Sequence, residues 1–288
     1  MALESVDLTP RIGSELNISK ADLLSGALRD EIRALLVRRG AVVIRDLNPS
    51  DEELRAIARS LGDLRLGGVK RGGAEARVLN EGDGGVMKIS LDADINPDYA
   101  RFLPGNHLWH MDGMYEEVPP FATLFTPFRL ANVGGDTSFA STYAAYEDLS
   151  DEMKQQIDGL TVVHTMAASL FPAMRDVTVE EFAVWSSYPE RRHPLVWRHK
   201  SGRKSLVIGT SCAWIEGMNR AESHDLLQDL MRHATQDEYV YRHKWRMGDL
   251  AIWDNTGNMH RVMPYDLESR REFHRCTLNG EEPVRAAA

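Results

Sequence analysis

Leu108–Tyr115 reads LWHMDGMY, a histidine and an aspartate two positions apart inside an otherwise apolar and aromatic run. A buried carboxylate is costly unless it is paired, protonated or bound to a metal, so Asp112 asks for a partner. If His110, Met111 and Asp112 are extended, alternate residues point the same way, and one imidazole and one carboxylate can meet one metal ion. An isolated HxD is more often a core histidine beside a turn aspartate. The rest of the chain has to decide.

The partner to look for is a second imidazole, because two histidines and one carboxylate on one face of a metal leave open positions and mark non-haem Fe(II) oxygenases. His260 is the candidate, in GDLAIWDNTGNMHRVMPYD (248–266) after a compact strand and turn. His164, His243 and His274 compete on residue type, and spacing alone does not choose between them.

Composition narrows the classes. The chain has 288 residues, 43% of them hydrophobic, enough to bury a real core. A formal charge of −9 with scattered Lys and Arg argues against nucleic acid or anionic membrane as a partner. Two distant cysteines, Cys212 and Cys276, indicate neither a disulfide framework nor a structural zinc site and fit a cytoplasmic setting. No run approaches 18 apolar residues, and the acidic N-terminal stretch lacks an apolar export signal.

Along the chain, Leu23, Leu24, Leu28, Ile32, Leu35 and Leu36 recur at helical spacing, predicting a helix over 19–39 with Ser19 as N-cap and Gly40 as stop. AVVIRDL (41–47) reads as a buried strand, and Ser50 with Glu53 has capping-box spacing for a second helix up to Gly62. Residues 64–100 are rich in glycine and charge, with short strands expected near Val78–Leu79 and Val86–Ile89, and read as a lid over LWHMD. Strands are expected in PFATLFTPFRLANV and DTSFAST, joined at Gly134–Gly135. A helix is expected in AAYEDLSDEMKQQIDGL and another near 221–234. YVYRHKWRMGDLAIWDN reads as strand, Gly248–Asp249 turn, strand, and a last strand falls near 273–278. Many short strands without regular helices between them predict a single mainly β domain over 1–288, an antiparallel barrel or jelly roll with helices packed outside.

WHMD followed by GGDT, GDLAIWDN, MHR and RREFHR resembles the taurine dioxygenase and 2,4-dichlorophenoxyacetate dioxygenase family of Fe(II)/2-oxoglutarate-dependent oxygenases. The likeness runs from RGAVVIRDL to LNGEEPV and is closest to the herbicide-degrading branch in SGRKSLVIG, WIEGM and HATQDEYVYRHKWRMGDLAIWDN. It implies a double-stranded β-helix, a cupin-like jelly roll, with His110, Asp112 and His260 as the iron ligands. It assigns Arg271, helped by the Thr137 hydroxyl, to the distal carboxylate of 2-oxoglutarate, a task suited to the planar fork of a guanidinium. Arg275 then anchors the substrate anion or forms a second clamp, with a structural ion pair as the rival reading. Met111, Gly113, Met114 and Tyr115 shape specificity, since GMYEEVPP departs from better-known members. Thr256 stands where many relatives carry arginine after WDN.

The implied reaction consumes O2 and 2-oxoglutarate, releases succinate and CO2, and hydroxylates a small organic anion, aryloxyalkanoate-like or another carboxylate with an apolar body. Met111, Met114, Met259 and Met263 would supply an apolar approach, and Lys70 and Lys88 contacts to an anion. Desaturation, cyclisation, and sulfonate or alkyl sulfate oxygenation stay open, as do a jelly-roll hydrolase or isomerase, a non-catalytic metal sensor, and homo-oligomerisation.

Overall fold

The computed structural model describes residues 3–66, 83–92, 94 and 100–286. Most of the expected lid, including Val78–Leu79 and Lys70, lies outside the described residues.

AVVI folds as the strand Ala41–Ile44, and all four of its residues are buried because both faces of its sheet are covered. Val42 and Ile44 point outward to a layer of helices, where they meet Ile32, Leu36, Leu54 and Ile57. Ala41 and Val43 point inward, against Phe125, Phe139, Trp253 and Phe273. The helix Asp51–Leu61 begins at the expected capping box, with Ser50 and Glu53 bonding each other's backbone N–H. Such caps are worth about 0.5–2 kcal/mol. Its apolar stripe of Leu54, Ile57, Ala58 and Leu61 is buried, and truncating Ile57 to alanine would cost about 2–5 kcal/mol.

The helix expected over 19–39 is two helices, Lys20–Ser25 and Arg29–Arg39. Gly26 takes a left-handed conformation at φ 70° and caps the first, as glycine does without steric cost. The helix expected in AAYEDLSDEMKQQIDGL and ended by Gly159 is likewise divided, into Thr142–Glu147 and Asp151–Ile157, because Ser150 starts a fresh N-cap.

Among the described residues, seven strands form the larger sheet, in the order Glu4–Asp7, Ser14–Asn17, Ala41–Ile44, Leu250–Asp254, Ala122–Arg129, Glu272–Thr277, Met87–Ser90. Facing it is a sheet of Val240–His243, Thr137–Ser141 and Asn258–Val262. Pairing is antiparallel apart from Ser14–Asn17 beside Ala41–Ile44. The segments around Gly134–Gly135 and Gly248–Asp249 are not hairpins, since each carries the chain from one sheet to the other. After Val240–His243 the chain alternates between sheets, through Leu250–Asp254, Asn258–Val262 and Glu272–Thr277. That winding is the double-stranded β-helix.

A smaller sheet is made of Cys212–Ile215, Thr161–His164 and Arg191–Pro194, and the helices Met166–Leu170 and Val179–Ser186 lie along the chain between the last two of these strands. No helix among the described residues is long and apolar enough to cross a membrane.

Candidate active site

Alternation along the strands decides what faces the space between the two sheets. In Asn258–Val262, His260 and Val262 point inward and line a cavity, while Met259 points outward into a second apolar cluster. Across the gap, Phe125, Trp253 and Arg275 come from the larger sheet, and Arg271 sits just before the strand Glu272–Thr277. The cavity measures about 130 Å³, room for about four waters at the roughly 30 Å³ each takes in the liquid.

His110 reaches this space by a different device. Its backbone N–H donates to the His260 carbonyl at 3.1 Å, and the His260 N–H donates to the His110 carbonyl at 2.9 Å. This isolated antiparallel bridge brings the two imidazoles to a centroid separation of 4.2 Å. The extended geometry expected for the HxD stops there, because Asp112 already belongs to a turn. Ligand atoms of His110, Asp112 and His260 nevertheless lie within 4.8 Å of one another.

The protonation states fit a metal. His110 Nδ1 lies 2.8 Å from the Leu108 carbonyl, so it carries the proton and leaves Nε2 with a lone pair for an ion. Burial, and then the neighbouring His110 ring, push His260 well below the ordinary imidazole range, so it is neutral. Withdrawal from solvent pushes the Asp112 carboxyl up, but the adjacent Arg275 guanidinium leads the charges that outweigh it and hold the group down at about 2. Two imidazoles, that of His260 uncharged, and one carboxylate suit a borderline divalent cation such as Fe(II), Mn(II) or Zn(II).

Arg275 donates to Asp112 Oδ2 at 2.6 Å, the ion pair foreseen as the rival to substrate binding. Its guanidinium also lines the cavity. Thr123 Oγ1 adds a longer contact to the same oxygen, 3.4 Å, and itself accepts from Asn255 Nδ2 at 2.9 Å. Arg271 is 5% exposed, stacked 3.8 Å over Phe273, and donates to the Gly135 carbonyl at 3.2 Å. Burial brings its guanidinium down to about 10, so it stays charged at neutral pH. Among the described residues it has no carboxylate partner. Thr137 lines the same cavity and accepts from Trp245 Nε1 at 3.0 Å.

Several expectations change. Met111 and Tyr115 line the cavity, whereas Gly113 and Met114 do not, and Met114 is fully buried in the second apolar cluster. Neither Met259 nor Met263 borders the space, so the methionine-rich approach reduces to Met111 and Met166. Lys88 is exposed on Met87–Ser90 and does not border it either. The competing histidines have other partners: His164 meets Ser211, His243 meets Asp249 and Tyr241, and His274 meets Asp51 and Glu272.

The Thr256 departure has a structural account. Its backbone N–H and hydroxyl donate to the fully buried Asp254 carboxylate at 2.7 and 2.6 Å, and Tyr143 OH reaches the other oxygen at 3.2 Å. Thr123, Asn255 and Trp245 were not anticipated. Asn255 follows Asp254 in WDN and could have been suspected, but contacts across strands leave no local signal for the other two.

Two interleaved sheets that present two imidazoles, one carboxylate and a buried arginine with no carboxylate partner among the described residues to a common cavity define a mononuclear metal enzyme with a place for an anionic co-substrate. Residues 4–277 match the family described as taurine catabolism dioxygenase TauD, TfdA family, and the chain belongs to it. It is 32% identical over 285 residues to an alpha-ketoglutarate-dependent 2,4-dichlorophenoxyacetate dioxygenase of Burkholderia sp. strain RASC, covering 97% of this chain and 95% of that one. A protein of the same description from Cupriavidus pinatubonensis is 34% identical over 251 residues, covering 86% and 87%. A crystal structure of AAD-2 in complex with Mn(II) and N-oxalylglycine superposes with a TM-score of 0.81 at 28% identity, covering 99% of this chain and all of that one. The protein is thus an alpha-ketoglutarate-dependent dioxygenase that uses iron, 2-oxoglutarate, O2 and a small substrate. The hydrolase and sensor readings fall away.

Proposed function

We propose that the chain holds Fe(II) at His110, Asp112 and His260, holds the distal carboxylate of 2-oxoglutarate at Arg271 and Thr137, and hydroxylates a small organic anion with release of succinate and CO2. The observation that carries this reading is Arg271, a buried charged guanidinium without a carboxylate partner among the described residues, on the wall of the cavity that holds the three metal donors. Leaving such a charge unpaired is costly, and a dicarboxylate reaching from the metal would pair it.

Charge counting points to the substrate class. A dication, the Asp112 carboxylate, a 2-oxoglutarate dianion and the cations Arg271 and Arg275 leave one net positive charge in the cavity. A monoanion neutralises it. Around that charge stand Ile89, Leu103, Phe125, Met166 and Leu170, which suit an apolar or aromatic body, as does the naming of relatives for 2,4-dichlorophenoxyacetate. When bound, iron would let O2, the oxidant, draw two electrons from 2-oxoglutarate as it becomes succinate and CO2 and two from the substrate C–H bond. The chain's own groups bind and orient: Arg271 and Thr137 grip the co-substrate, Arg275 holds Asp112 and faces the substrate anion, and Phe125 and Trp253 exclude water. Met111 and Tyr115 set the shape of the pocket. We further place this single oxygenase domain in the reducing cytoplasm, consistent with Cys212 and Cys276 both being free thiols.

The test is succinate release, driven by a panel of aryloxyalkanoates, the matching neutral amides, alkyl sulfates and sulfonates. The reading expects aryloxyalkanoates to stimulate turnover and their amides to fail. Stimulation by amides as strong as by the acids would overturn it.

A further inference from the structure

A threonine hydroxyl has one hydrogen to give and lone pairs to accept with, whereas an indole N–H can only donate. The 3.0 Å contact between Trp245 Nε1 and Thr137 Oγ1 therefore has a single polarity: the tryptophan donates and the threonine accepts. Thr137 must send its own hydrogen elsewhere. Among the described residues no acceptor for it is in place, and the residue is 4% exposed on the cavity wall that carries Arg271.

Trp245 itself does not border the cavity. It lies two positions past the strand Val240–His243, whose His243 pairs in register with Thr137. Its ring stands edge-on to His243 at 4.4 Å and 88°, and to Phe273 at 4.8 Å and 73°. His243 is fixed in turn by Tyr241 OH at 2.8 Å and Asp249 Oδ2 at 3.1 Å. Phe273 carries the Arg271 guanidinium on its face. One aromatic ring thus sets both the tryptophan that acts on Thr137 and the arginine beside it.

We propose that Trp245 is a positioning residue for the co-substrate: by occupying a lone pair of Thr137 it turns that hydroxyl into a donor aimed at the carboxylate held by Arg271. The site at the far end of 2-oxoglutarate then presents donors from both Thr137 and Arg271, which match a carboxylate, an acceptor on every side. The inference rests on the reading of Arg271 as the co-substrate anchor.

Trp245→Phe keeps a ring for packing and removes the N–H. Calorimetric titration of 2-oxoglutarate into anaerobic Mn(II)-loaded protein should show affinity about 3- to 10-fold weaker than wild type, as expected for one hydrogen bond. In turnover, KM for 2-oxoglutarate should rise while kcat and the substrate KM hold. Thr137→Val should weaken binding similarly, and adding Trp245→Phe to it should cause no further loss, the non-additivity of groups acting through one bond. With 2-oxopentanoate, which carries a methyl where the distal carboxylate stood, Trp245→Phe should match wild type. Benzothienylalanine at position 245, sulfur in place of N–H in a ring of the same shape, supplies the measurement if the phenylalanine variant does not fold. Unchanged 2-oxoglutarate affinity, or an equal loss in the Thr137→Val background or for 2-oxopentanoate, would overturn the proposal. Arg271→Leu separates the two layers: if it also leaves affinity intact, the co-substrate reading itself fails, whereas if it abolishes binding and Trp245→Phe does nothing, only the role of Trp245 fails.

Discussion

The backbones of His110 and His260 exchange a reciprocal pair of hydrogen bonds, at 3.1 and 2.9 Å, so two metal donors from distant parts of the chain are spaced by main-chain geometry. Asp112 has no such support, because it sits in the turn beyond the bridge. Among the described residues its carboxylate is oriented by side chains, Arg275 and, at longer range, Thr123 backed by Asn255.

Thr123→Val should therefore weaken metal binding without disturbing the fold. Partners of a metal's ligands are typically worth 10–100-fold in affinity, and with Arg275 still in place we expect the lower end, about 10-fold. Asn255→Ala should move the same way by a smaller factor. Mn(II) titration followed by electron paramagnetic resonance measures both, and wild-type affinity in Thr123→Val would show that Arg275 alone orients the carboxylate.

Gly257 is required by a close approach. A Cβ there would lie 1.7 Å from the Tyr143 ring, and Tyr143 is one of the partners of the buried Asp254 carboxylate. Gly257→Ala should cost about 1–3 kcal/mol, the usual penalty of overpacking, and appear as a thermal midpoint several degrees lower. An unchanged midpoint would mean that the ring moves aside freely.

Several buried histidines make stability of the metal-free protein fall with acid, His243 and His260 among them, and His164 and His193 show the window most plainly. Burial, with His193 nearby, pushes His164 down to about 3, and burial followed by Arg191 brings His193 down to about 4. Both would titrate near 6.5 once unfolded. Between those values the unfolded chain binds more protons than the folded one, so stability is full above about 6.5 and declines as pH falls towards 4 and then 3. Each histidine contributes about 1.4 kcal/mol per pH unit in its window. Melts of the metal-free protein in chelator should show a lower midpoint at pH 5.5 than at pH 7.5, and His164→Gln should flatten that slope. A wild-type midpoint independent of pH over this range would contradict the assignment.

How far the sequence could be read depended on the range of the interactions involved. AVVI and the Ser50–Glu53 capping box were legible because strand burial and helix capping are set within a few residues. His110, Asp112 and His260 could be named because each lies in a compact motif, and the fold brings them together. Met259 was misplaced for a reason present in the text: if His260 faces inward on a strand, its neighbour faces outward. Gly26 divided a helix whose apolar spacing continued past it, because that spacing reports which face is buried and not where the backbone turns. The bond from Trp245 to Thr137 joins side chains far apart in the chain and left no pattern to read.

The central claim is that Arg271 and the His110–Asp112–His260 centre together bind 2-oxoglutarate to Fe(II). Its most direct test is the visible spectrum of anaerobic protein with Fe(II) and 2-oxoglutarate, recorded for wild type, Arg271→Ala and His260→Ala. The account predicts a weak metal-to-ligand charge-transfer band in wild type, absent from His260→Ala and recovered in Arg271→Ala only at much higher 2-oxoglutarate. A folded, iron-loaded wild type without that band, or an Arg271→Ala titration that overlays wild type, would contradict it.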